Sequence, residues 1–105
     1  MNERRTLPQR RLCETLAVWF DGNLFKVSIG FFDDGRPGEV FIDAPKMGTD
    51  MSAVARDCAI LLSLCLQYDV PIEVIAKALT REQSGAPSTI AGNVVDRLAM
   101  VELSS

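Results

Sequence analysis

Apolar and polar positions along the chain follow two different periods. In the first half the period is two. Residues 24–32, LFKVSIGFF, place Phe25, Val27, Ile29 and Phe31 on one face of an extended segment. Residues 13–20, CETLAVWF, alternate more weakly but are rich in strand formers, and residues 39–43, EVFID, read as a third short strand. Asp21-Gly22-Asn23 and the run from Asp33 to Gly38 carry turn chemistry. Strands joined by such short turns predict an antiparallel meander.

After Ala44 the period changes to that of a helix. Thr49 or Asp50 can cap it, and Met51, Val54, Ala55, Cys58, Leu61, Leu62 and Cys65 recur at helical spacing. Ile60 and Leu64 widen this stripe, which predicts a helix buried nearly all round, ending near Tyr68-Asp69. Pro71 suits the first turn of a second helix with Ile72, Ile75, Ala76 and Leu79 inward. Arg81 to Ala86 reads as a loop, and Ser88 as the cap of a third helix carrying Ile90, Val94, Leu98 and Val101.

The order βββααα predicts an α+β domain over residues 13–103, its three helices packed on one face of the meander. The covered face holds Leu16, Val18, Val27, Ile29, Val40 and Ile42. The opposite face holds Lys26, Ser28, Glu39 and Asp43, together with Trp19, Phe32 and Phe41. Those three aromatics read either as an interface patch, for example in a homodimer, or as side chains that an arm or loop covers or that are scattered singly.

Composition narrows the class. At 105 residues, 48% of them hydrophobic, the chain is one globular domain. Its longest uncharged apolar run, Cys58 to Tyr68, falls well short of the roughly 20 residues that span a bilayer. The start has no apolar stretch of a secretory signal. Residues 1–12 carry Arg4, Arg5, Arg10 and Arg11 against Glu3, whereas the remainder is acidic enough to bring the whole to −3. The arm reads as a solvated, mobile tail, and the acidic body makes nucleic acid an unfavourable partner. Cys13, Cys58 and Cys65 form no paired or metal-binding spacing, so no metal centre is expected and the chain reads as cytoplasmic. Histidine is absent, which removes the commonest general base and metal ligand.

Two segments have the residues to hold an anion. Lys46-Met47-Gly48-Thr49 precedes the long helix and combines a cation, a glycine for close backbone approach and a hydroxyl at a helix N-terminus. Gly85-Ala86-Pro87-Ser88-Thr89 precedes the last helix and offers Ser88 and Thr89. Each also reads as an ordinary capped helix entry. Arg56 and Asp57 interrupt the long apolar stripe, where Arg56 can meet Ser52, Asp50 or a strand, and Asp96 and Arg97 read as facing water.

The ordered combination of EVFI in residues 39–42, Lys46 and Gly48 before a long apolar helix, and Asp69-Val70-Pro71 before a second helix resembles the TSCPD domain. That domain lies near the C-terminus of adenosylcobalamin-dependent ribonucleotide reductases and also occurs as small freestanding proteins. The likeness runs from about Cys13 to Leu98. The Thr-Ser-Cys-Pro-Asp that names the family is replaced here by Ser84-Gly85-Ala86-Pro87-Ser88, so the thiol is lost at Ala86. The radical-forming barrel and cobalamin site belong to other parts of the large enzyme. The resemblance therefore implies a non-catalytic interaction or regulatory domain without a cofactor of its own, linked to deoxyribonucleotide synthesis, with the reductase large chain or a second copy as partner. The alternative is a nucleotide- or anion-binding module at Lys46, Gly48 and Thr49.

Overall fold

A computed structural model describes residues 3–46 and 48–104. Three strands come first: β1 (Cys13–Phe20), β2 (Asn23–Phe31) and β3 (Pro37–Asp43). They form one antiparallel sheet in the order β1-β2-β3. Phe20 pairs with Asn23, so the first hairpin closes on the two residues Asp21 and Gly22. Both have positive φ, 49° and 75°, the conformation of a type I′ turn whose twist matches that of the strands. The β2–β3 register slips once, between Gly30 and Phe31, where the second turn begins.

The helices follow as α1 (Asp50–Gln67), α2 (Ile72–Ala78) and α3 (Ile90–Ser104). No helix of the described residues is long and apolar enough to cross a membrane. The fold is thus the expected α+β arrangement. Val18, Phe25, Val27, Ile29, Val40 and Ile42 from the sheet meet Ala55, Ala59, Leu62 and Leu66 of α1, Ile72 and Ile75 of α2, and Ile90, Val94, Val95 and Leu98 of α3 in one core. Leu16 packs at its edge.

Three sequence expectations about the helices need correction. The first concerns α1, which is not buried all round: Val54, Ile60 and Leu61 are about half or more exposed on its outward face. Apolar periodicity reports which faces avoid charge, and in this chain α1 has more apolar surface than the sheet and α3 cover. The second concerns the α3 cap, which falls at Thr89, whose hydroxyl accepts from the Gly92 N–H at 3.2 Å, and not at Ser88. The third is Asp96, which does not simply face water but receives two hydrogen bonds from the Arg81 guanidinium at 2.6 and 3.1 Å.

Candidate functional site

Strand parity decides which backbone groups of β3 are free. The hydrogen-bonded closing pair Phe20–Asn23 sets the alternation across β2, so Lys26 and Ser28 turn their N–H and C=O towards β3 and pair with Asp43 and Phe41. Gly38, Val40 and Ile42 therefore turn theirs outward, at the edge of the sheet. An uncovered edge is a template for further strands. Here α1 lies along it. The Ser63 hydroxyl accepts from the Val40 N–H at 2.9 Å and lies 3.1 Å from the Val40 carbonyl, to which it donates. It shares that proton with the Ala59 carbonyl at 2.8 Å. One turn later Gln67, buried, donates to the Gly38 carbonyl at 3.0 Å. Ser63 and Gln67, four apart on one helix face, thus serve as a substitute strand.

The N-terminal segment is fastened to the same end. Arg4 donates through Nε to the Gln67 side-chain oxygen at 2.6 Å, and the Arg5 backbone N–H donates to the Gln67 carbonyl at 2.7 Å. The Arg5 guanidinium lies 3.9 Å above the Phe32 ring and reaches Asp34 and Asp69 at 3.2 and 3.4 Å. Arg11 forms a two-pronged pair with Glu39 at 2.9 and 3.2 Å. The Arg36 backbone N–H, with help from Arg5, holds the Asp34 carboxyl below the usual carboxylate range.

Between β3 and α1 a groove of about 550 Å³ opens, within the size range of small-ligand sites. Its strand wall is Glu39 to Asp43; its helix wall is Ser52, Arg56, Ala59, Ile60, Ser63 and Gln67, with Arg4 at one end. Arg56 stands out in the sequence but the groove does not, because the strand contributes main-chain groups that leave no mark on residue type.

The predicted site residues are scattered. Lys46 and Gly48 are exposed, Gly48 with φ of 75°, and Met47 lies outside the described residues. Thr49 caps α1, its hydroxyl accepting from the Ser52 N–H at 3.1 Å and donating to the Lys46 carbonyl at 3.0 Å. Thr89 is likewise engaged as a cap, while the Ser88 hydroxyl is enclosed without a hydrogen-bond partner. The loop before them is pinned by Arg81, whose guanidinium donates to the Gly85 carbonyl at 3.0 Å. Of the three aromatics, Trp19 and Phe41 are exposed but two rows and two strands apart, with Trp19 opposite Leu24 and Phe41 opposite Ser28. Phe32 is buried. It falls past the end of β2, where strand parity no longer governs its direction, and its ring packs over Gly38 beside Leu7.

The model of the TSCPD domain family matches residues 3–101. Three curated relatives are all vitamin B12-dependent ribonucleotide reductases. That of Agrobacterium fabrum is 38% identical over 91 residues, 87% of this chain. Those of Bradyrhizobium diazoefficiens and Rhodopirellula baltica are 36% identical over 93 residues and 34% over 103, covering 89% and 91% of this chain. The chain spans only 7%, 7% and 10% of the respective reductases. No solved structure matches it.

Proposed function

Because the chain belongs to the TSCPD domain family, we propose that it is a non-catalytic interaction domain acting on or beside a vitamin B12-dependent ribonucleotide reductase. The observation that carries this reading is the relationship itself: nearly the whole domain is matched at 34–38% identity within reductases about nine-tenths or more of whose length lies elsewhere. A unit related to so small a part of a large enzyme has its use in contacts with the rest of such an enzyme or with another copy of itself. The exposed apolar side chains support contact as its mode of action. Val54, Ile60 and Leu61 line the outward face of α1, and Trp19 and Phe41 stand on the open face of the sheet. Such surface is costly to leave in water and is typical of interaction sites.

The test is sedimentation of the purified chain alone and mixed with a purified vitamin B12-dependent reductase from the same genome. A complex is expected. Two species that sediment independently at all concentrations would reject a reductase-linked role. For the chain alone, self-association through the sheet face should vanish when Trp19 and Phe41 are both replaced by Ser. Persistence of the dimer would exclude that face.

A further inference from the structure

We infer that the groove between β3 and α1 is a docking site for an acidic peptide segment in extended conformation. The inference does not depend on which protein supplies the segment, and so stands apart from the reductase reading.

The first support is the main chain. Ser63 and Gln67 satisfy the outward groups of Val40 and the Gly38 carbonyl, but their reach stops there. The N–H and C=O of Ile42 face the same way by parity, into the groove, and pair with no described residue. A donor and acceptor presented by one strand residue are matched by the acceptor and donor of one residue of an incoming extended chain. A free phosphate would meet the N–H but be repelled by the carbonyl beside it.

Charge gives the second support. Among the described residues, the Arg56 side chain has no hydrogen-bond or ion-pair partner. The Arg4 side chain bonds, among the described residues, only the neutral amide of Gln67, which leaves its terminal nitrogens available. Both line the groove, one on the helix and one at its end. Of the two carboxylates on the strand wall, Glu39 is folded across Gly30 and neutralised by Arg11. Asp43, at the far end, is the one acidic wall residue without a described partner. The unspent charge is therefore cationic around the helix wall, and guanidinium groups favour carboxylates with two-pronged geometry.

Side-chain alternation supplies the third. Phe41 and Ile60, 55% and 48% exposed, flank the groove from opposite walls. An extended segment whose side chains alternate would direct carboxylates to the arginines and apolar groups to these two residues. The volume suits a few residues of such a segment. With main-chain pairing confined to Ile42, charge supplies most of the affinity, so binding should weaken steeply with salt.

The experiment is fluorescence anisotropy with a labelled nonapeptide that alternates Glu with Val and Phe, capped at both ends, on the full chain at low salt. Parallel ¹H–¹⁵N spectra follow the Ile42 amide. Expected are saturable binding, a shift of the Ile42 signal, and a loss of about tenfold in affinity for Arg56→Gln, the scale of one charge-assisted pair. The same loss is expected when the peptide's Glu residues become Gln. Ile60→Glu should weaken binding and Ile60→Lys strengthen it, a pair that serves even if the arginine variant folds poorly. Absence of binding, equal binding by Arg56→Gln, or indifference to the Ile60 charge overturns the proposal. Binding of tripolyphosphate alone, with the peptide inert, overturns it as well in favour of a simple anion site.

Discussion

Ser63 carries more of the fold than its size implies. Among the described residues its hydroxyl is the only group that meets the outward N–H of Val40, and Val40 is itself buried, at 2% exposure. Ser63→Ala leaves that donor unmet, and a loss of about 1–3 kcal/mol in unfolding free energy is expected. Denaturant titration measures the loss, and faster exchange of the Val40 amide should accompany it. Gly38 is constrained differently. A Cβ there would come within 2.7 Å of the Phe32 ring and 2.8 Å of a Leu7 methyl. Gly38→Ala should therefore cost about 1–3 kcal/mol by overpacking and loosen the N-terminal segment, seen as faster proteolysis before Cys13. The cysteines differ in reactivity for local reasons too. Burial, with Asp57 adjacent, pushes the Cys58 thiol up, whereas Cys13 is exposed. A thiol reagent at pH 8 should label Cys13 first and Cys58 later, since the thiolate is the reactive form. Reversed order would mean that α1 opens more readily than β1.

At the scale of the element, α1 has two apolar faces with opposite energetic meaning. Leu61 is 63% exposed and Leu62 5%. Leu62→Ala should cost about 2–5 kcal/mol, while Leu61→Ser should leave the stability of the isolated chain within about 0.5 kcal/mol. Thermal melts distinguish the two, and a large loss at Leu61 would place that face in a stable assembly. The same helix marks the limit of what residue pattern conveys. The elements were legible: alternation from Phe25 to Phe31 gave β2, Asp21-Gly22-Asn23 gave its hairpin, and the pair Thr49-Asp50 marked the start of α1, where Thr49 is the cap. The buried sheet face, from Val18 to Ile42, was legible for the same reason, since side chains alternate strictly in strands. How much of an apolar helix finds a partner was not, because periodicity does not count neighbours. The β3–α1 groove was not legible either. It depends on main-chain groups whose direction emerges only once register is fixed, and on Ser63 and Gln67, residues ordinary in a helix.

For the whole molecule, the basic N-terminal segment and the acidic body are complementary parts. Arg5 and Arg11 engage Asp34, Asp69 and Glu39, which belong to a turn, a helix end and a strand. Because the Asp34 carboxyl is lowered in the fold, its contribution is complete above the ordinary carboxylate value. It is lost as pH falls through the lower, folded one. The denaturation midpoint should consequently fall below about pH 4, and Asp34→Asn should flatten that decline; an unchanged pH profile would assign acid sensitivity to other carboxylates. The covered edge of β3 has a further consequence for how copies can join. The sheet has two margins, and among the described residues β1 is the one that runs its whole length without a helix alongside. A full strand can be added on that side alone, because α1 already meets Val40 and the Gly38 carbonyl on the other and leaves only Ile42 open there. Two chains meeting there would exhaust each other's open margin and form a continuous sheet sealed at both ends by α1. This mode of growth ends at a pair, so the helix that finishes one sheet also prevents a fibre.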